Sequence, residues 1–156
     1  MARRTVRWLV GWVGAAALLV SLCGVAQAAG QASQEKQLKV KLNYKGAGPV
    51  DAGHCIQLFT FDNPNFIQNP GTVMPIGMNT VCKNGEVVTL GLWTDTVYLV
   101  AVYDEQGVYQ TPMGPPPSGL PVAVYRPGDP NPPTPIRLES EVTEIEFAFD
   151  DSFRMP

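Results

Sequence analysis

Few residues of this chain have the type and spacing that catalysis requires. His54 is the only histidine, so a His-based triad would need a nucleophile and an orienting group gathered around it by the fold. A zinc site with several His and Cys ligands is excluded if Cys55 and Cys82 pair with each other. We therefore interpret His54 as a strand-edge residue beside a structural cysteine, and we predict no catalytic residue, no metal site and no cofactor.

Acidic side chains are the second group that could do chemistry. They gather near the C-terminus at Glu139, Glu141, Glu144, Glu146, Asp150 and Asp151. The spacing of Glu144 and Glu146 places both on one strand face, where paired carboxylates could act on a glycosidic bond or bind Ca²⁺. The simpler interpretation is a solvated face of the last strand whose charges discourage edge-to-edge pairing. Asp104 with Asp150 and Asp151 is the one combination that we would test for a cation.

Aromatic residues with polar groups are the third candidate set. Exposed rings on a sandwich face can stack on the apolar faces of sugars. The candidate binding residues are Trp93, Tyr103, Tyr109 and Tyr125, with Tyr98 as a further member of the set. The alternative is that these rings pack in the core and across strand pairs.

The first 28 residues predict export. Three arginines within the first seven residues precede an uncharged stretch, residues 8–25, and Ala26-Gln27-Ala28 follows. These are the three parts of a secretory signal peptide, with cleavage expected after Ala28 and a periplasmic or extracellular destination. The alternatives are a membrane anchor formed by residues 8–25, a lipoprotein modified at Cys23, and a twin-arginine signal at Arg3-Arg4.

The composition limits the class of protein. The chain has 156 residues, 11 Lys+Arg and 14 Asp+Glu, for a net charge of −3. Cleavage after residue 28 removes three arginines and no acidic residue, which leaves 8 basic and 14 acidic side chains and a net charge of −6. A hydrophobic content of 45% with 16% charged residues excludes a disordered chain. The acidic balance argues against a nucleic-acid partner, and no membrane contact is expected after cleavage.

Two cysteines remain in the mature chain. Cys23 leaves with the signal peptide, and Cys55 and Cys82 stay. An even number of cysteines in an exported chain predicts a disulfide. The alternative is a pair of buried free thiols.

The mature chain alternates polar and apolar residues with a period of two and shows no convincing helical period. Strands are predicted over residues 36–44, 54–61, 96–103, 120–126, 135–139 and 142–150. The strand over 96–103 is apolar on both faces and is expected to be central. The one over 120–126 is interrupted at Pro121, so it should lie at an edge or begin at Val122. Residues 73–81 are expected to form a short edge strand or a structured loop. Asn84-Gly85 predicts a hairpin that joins 79–82 to 86–90.

These segments predict an all-β protein, a single antiparallel β-sandwich of about seven to eight strands of the immunoglobulin or prealbumin-like kind. The predicted organisation is a signal peptide over 1–28, a flexible lead over 29–36, the sandwich over 37–151 and a C-terminal tail over 152–156.

The second half has a family-like order of motifs. Thr96–Tyr103 ends in the turn Asp104-Glu105-Gln106-Gly107, and the segments 119–125, 135–138 and 142–151 follow. This order resembles the prealbumin-like, or carboxypeptidase-regulatory-like, β-sandwiches of exported bacterial proteins, over 38–151 in outline and over 96–151 in motif. The turn has too few oxygens at alternate positions for the cation site of some members.

Transthyretin-like hydrolases of similar architecture use several histidines and a C-terminal Tyr-Arg-Gly-Ser. This chain has one histidine and ends in Ser152-Phe153-Arg154-Met155-Pro156, so the resemblance does not imply that activity.

The sequence therefore predicts a non-enzymatic exported β-sandwich that acts as a binding or accessory structural module for an unknown protein or glycan partner. The long loops over 62–72 and 108–119 are the expected binding regions, because rigid sandwiches present function on loops. One alternative is a carbohydrate-binding module with Trp93 and the tyrosines as its platform. The other is a small hydrolase that depends on Glu144 and Glu146.

Overall fold

The computed structural model describes residues 34–69, 71–109, 114–127 and 133–156. The predicted signal peptide, its three alternatives and most of the predicted lead lie outside these residues.

Within the described residues, eight strands form two sheets that enclose one core between them. The strands are β1 (Lys36–Tyr44), β2 (Ile56–Phe61), β3 (Gly77–Val81), β4 (Val87–Leu92), β5 (Thr96–Tyr103), β6 (Val122–Val124), β7 (Ile136–Arg137) and β8 (Val142–Phe149). The small sheet has the order β4-β1-β8, and the large sheet has the order β3-β2-β5-β6 with β7 paired to β5. The prediction of an all-β sandwich is confirmed.

One strand pair runs parallel. β1 and β8 lie side by side in parallel register from Gln37 and Val142 to Tyr44 and Phe149, whereas the other strand pairs are antiparallel. The first and the last of the described strands therefore lie in the same sheet. A parallel pair needs a long connection, and here the whole large sheet supplies it.

The alternation seen in the sequence fixes which side chains enter the core. In β1, Leu38, Val40 and Leu42 are fully buried, and the lysines between them face outward. In β8, Phe147 and Phe149 point inward, as the alternation predicted. β5 lies in the middle of the large sheet, so its predicted central position is confirmed.

A second apolar cluster covers the outer face of the large sheet. Its buried members are Phe59, Phe61, Phe66, Val102, Tyr109, Leu120 and Val122. The loops after β2 and β5, which were expected to be binding regions, supply two of these side chains. The Phe66 ring stacks on Phe61 with ring centroids 4.3 Å apart. β2 is consequently buried on both faces.

The Asn84-Gly85 turn does not make the predicted hairpin between 79–82 and 86–90. β3 belongs to the large sheet and β4 to the small one, so the turn carries the chain from one sheet to the other. The side chain of Asn84 accepts from the Tyr44 amide and donates to the Tyr44 carbonyl, both at 2.8 Å. A turn signal predicts a chain reversal, but it does not say which neighbour the next strand will pair with.

The disulfide is confirmed, because the sulfur atoms of Cys55 and Cys82 are bonded. Cys82 directly follows β3 and Cys55 directly precedes β2, so the bridge ties these neighbouring strands together at one end. In the described part of the chain, no helix is long and apolar enough to cross a membrane.

Candidate functional site

The candidate aromatic residues lie in four different environments. The Tyr103 ring is buried in the core, where it packs 4.1 Å from the Tyr44 ring centroid, and its hydroxyl donates to the Pro49 carbonyl at 2.6 Å. Tyr109 is buried in the cluster outside the large sheet. Burial raises the pKa of both hydroxyls. Sugars stack on open ring faces, and these two rings do not offer one.

The other candidate rings are more accessible. Tyr125 is half-buried and meets Phe147 edge-on, with centroids 5.3 Å apart. Trp93 is 66% exposed just after β4. Tyr98 is half-buried in the outer cluster. The structure therefore leaves Trp93 as the most exposed of the candidate rings and does not gather these residues into one platform.

His54 pairs with Asp51 in a tight turn. The Asp51 carboxylate lies 2.9 Å from His54 Nδ1 and accepts from the backbone amides of Gly53 and His54. The hydrogen bond with His54 is the main reason that the pKa of Asp51 is lowered. These contacts give the pair a structural part in closing the turn before β2.

The three aspartates proposed as a cation site are each held by other groups. The fully buried Asp104 carboxylate accepts from the amides of Val108 and Tyr109 at 3.0 and 2.7 Å. The Asp150 carboxylate accepts a hydrogen bond from the Ser152 amide. The Asp151 carboxylate accepts hydrogen bonds from Tyr44 and Ala47. Among the described residues, no group of three or more His, Cys, Asp or Glu could hold a metal ion.

Asp151 links the end of β8 to the start of the loop after β1. Its carboxylate accepts from the Tyr44 hydroxyl and from the Ala47 amide. The hydrogen bond from Tyr44 is the largest cause of the lowered pKa of Asp151. For Tyr44, burial first and then the same hydrogen bond raise the pKa.

This contact predicts a dependence of stability on pH. Because the pKa of Asp151 is lower in the folded chain, its contribution is present above the unfolded pKa and is lost as the pH falls through the folded pKa. We expect Asp151→Asn to destabilise the protein at pH 7 and to matter less below about pH 4. Urea unfolding at pH 7 and pH 3 measures this, with Tyr44→Phe as a second way to remove the hydrogen bond. If Asp151→Asn lowered the free energy of unfolding equally at pH 7 and pH 3, the ionised Asp151 carboxylate would not be the source of the pH dependence.

Glu144 and Glu146 lie on the outer, exposed face of the small sheet. Glu144 pairs with Lys39 at 3.0 Å, and Glu146 accepts from the Asn43 side chain at 2.6 Å. β8 is an edge strand. The two carboxylates therefore lie where charges discourage a further strand from pairing.

The larger sheet presents an edge of a different kind. Residues 74–81, which we call the open edge, comprise β3 and the three residues before it. Met74 is 71% exposed, Ile76 46% and Met78 51%. Exposure alternates along residues 74–80, so these three exposed side chains, which we call the apolar row, stand at every second position. Exposed apolar groups gathered at one place mark interaction sites more often than single ones do.

Two of the other strand edges are covered or charged. Backbone bonds join residues 153–155 to β6 and the chain before it, including Val122 N to Phe153 O at 3.0 Å and Met155 N to Leu120 O at 2.9 Å. The predicted tail thus covers that edge of the large sheet at Val122. In the small sheet, the edge strand β8 carries Glu144 and Glu146, whereas the edge strand β4 has no charged side chain.

The sequence predicted a short edge strand or a structured loop over residues 73–81, and the structure confirms an edge strand there, β3. The binding role of this edge was not predicted, because the alternation of these residues is weak. A signal was present nonetheless, since no charged residue stands between Asp62 and Lys83. Comparison with protein-family models, with curated proteins and with solved structures finds no match. The interpretation of the open edge therefore depends on the geometry and chemistry of this chain.

Proposed function

We propose that the protein is an exported, non-enzymatic β-sandwich that acts by binding an extended protein segment along the open edge. The observation that carries this proposal is the apolar row of Met74, Ile76 and Met78, exposed along a segment that has no charged side chain and that ends in the edge strand β3. Export is supported by the pattern of the first 28 residues and by the disulfide, which persists in oxidising compartments. The order of motifs over 96–151 supports kinship with prealbumin-like sandwiches.

Strand addition is the binding mode that this edge suits. An edge strand presents backbone amides and carbonyls that can pair with an extended chain, and the side chains beside them provide specificity. Natural proteins usually protect such an edge with charges, bulges or covering segments. Methionine is flexible and polarizable, so Met74 and Met78 could adapt to different apolar side chains.

The disulfide prepares the edge for binding. Val81, the last residue of β3, pairs with Ile56 of β2, and the Cys55–Cys82 bridge lies next to this pair. β3 is therefore fixed on the sheet before a partner arrives. A fixed strand loses less conformational entropy on binding than a mobile one.

The proposal predicts what a peptide selection will recover. A phage-displayed library of unstructured peptides, selected on the oxidised exported protein, is expected to yield charge-poor sequences with alternating apolar residues. Met78→Lys should weaken the binding of these peptides about tenfold or more, because it places a charge in the apolar row. Val142→Lys is the matched control, since it changes an exposed apolar residue on the far edge strand β8.

Two outcomes would contradict the proposal. One is that no peptide family is enriched, and the other is that Met78→Lys and Val142→Lys bind the selected peptides equally. Carbohydrate binding is the second candidate function, and the exposure of Trp93 favours it. Isothermal titration with a panel of polysaccharides, on the wild type and on Trp93→Ala, distinguishes the two functions.

A further inference from the structure

We infer that the segment which pairs with the open edge is the open edge of a second copy of this chain. Two sandwiches would then join their large sheets edge to edge across a twofold axis. The inference rests on the proposed function, because it names the partner of that same edge. A twofold interface uses the same surface on both subunits, so the surface must complement itself.

Charge is the first argument for a second copy. The chain has a net charge of −3, or −6 if the signal peptide is removed, so two copies repel each other in general. Glu144 and Glu146 would face like charges if β8 paired with its own copy. The open edge has no charged side chain, so self-pairing there meets no such repulsion.

The spacing of the apolar residues is the second argument. In an antiparallel pair with Met78 at the twofold axis, Ile76 of one copy lies opposite Thr80 of the other. All three side chains are exposed and uncharged, and they stand at every second position along the chain. Such cross-strand pairs are the units that stabilise a sheet. The side chains around Met78 are therefore complementary to those of a second copy related by a twofold axis.

Two of the other edges disfavour such pairing. Residues 153–155 already pair with Val122 of β6 and with the chain before it, and β8 carries Glu144 and Glu146. A single pair of short strands buries less area than a stable interface requires. The dimer is consequently expected to be weak and reversible, with a population that rises with protein concentration.

Sedimentation velocity on the oxidised exported protein over a wide concentration range tests the inference. The expected result is a weight-average sedimentation coefficient that rises with concentration, together with a dimer dissociation constant raised about tenfold or more in Met78→Lys. Val142→Lys should dimerise like the wild type. Met78→Cys should form an intermolecular disulfide under mild oxidation, and Val142→Cys should not. Because Met78→Cys introduces no charge, this arm does not depend on a tolerated charge.

A monomer at every concentration would overturn the inference, and so would a dimer that Met78→Lys leaves unchanged. These failures differ from failure of the proposed function. If the protein is monomeric but selected peptides still bind in a manner that depends on Met78, strand addition stands and the second copy is the wrong partner. If peptide binding also lacks that dependence, both proposals are wrong.

Discussion

Replacing Cys55 and Cys82 together with alanine is expected to lower the free energy of unfolding by about 3–4 kcal/mol. The bridge joins residues 27 apart in sequence, and cross-linking them removes conformations from the unfolded chain. For a domain of this size such a loss is a large share of the total stability. Urea unfolding of the wild type and the double variant, followed by tryptophan fluorescence, measures the difference.

Reduction of the wild type separates the cross-link from the packing of the sulfur atoms. Cys55 is buried, so alanine also leaves a small void, whereas reduction breaks the bond and keeps both sulfurs. We expect the reduced wild type to lose most of the stability that the double variant loses. If reduction changes the free energy of unfolding by less than about 0.5 kcal/mol, the bridge does not constrain the unfolded chain as proposed.

The disulfide is also expected to affect peptide binding at the open edge. The bridge holds the end of β3 against β2, so a reduced protein has a less fixed edge strand. Peptides selected on the oxidised protein should bind the reduced protein more weakly at a temperature where both remain folded. This result would connect the stability of β3 to its use as a binding edge.

The strands that the sequence predicted well are those with strong local patterns. β1 and β8 alternate over eight or more residues, and both strands appear with the predicted inward faces. β5 was expected to be central because it is apolar on both sides, and it lies between β2 and β6. β6 begins at Val122, directly after Pro121, which has no amide hydrogen to donate to a neighbouring strand.

Pairing between distant segments could not be predicted in the same way. The Asn84-Gly85 signal is local, and it does not show that Asn84 would bond to the backbone of Tyr44. The parallel pairing of β1 with β8 joins the two ends of the domain, and alternation is the same for parallel and antiparallel neighbours. The tail residues 153–155 carry no strand pattern, yet they close the edge of β6.

In the candidate site, too, local residue types could be predicted from the sequence, whereas contacts between distant segments could not. Aromatic residue types predicted rings, but burial depends on which loops fold over the sheet, and the loop after β5 buries Tyr109. For residues 73–81, Pro75 and Gly77 weaken the pattern, so the sequence left a short edge strand and a structured loop as alternatives. The lack of charge in this segment is visible in the sequence. The order of the strands confirms the edge strand.

Asp104→Ala is expected to destabilise the protein by about 3 kcal/mol, which is the second large effect. Asp104 is 0% exposed, and its carboxylate accepts hydrogen bonds from the backbone amides of Val108 and Tyr109 in the turn after β5. Alanine leaves both amides without this acceptor and loosens the turn that places the Tyr109 ring beside Phe59. Asp104→Asn should cost less, because its amide oxygen can still accept from one of the two.

Asp62→Ala is the matched control for Asp104→Ala, since Asp62 directly follows β2 as Asp104 directly follows β5, but is exposed. We expect its effect on the free energy of unfolding to stay within about 0.5 kcal/mol. Equal losses in the two variants would contradict the role given to Asp104. Millimolar Ca²⁺ distinguishes this role from a cation site. If the carboxylate serves the backbone, Ca²⁺ should leave the wild-type unfolding midpoint unchanged, whereas a ligand that binds the folded state would raise it.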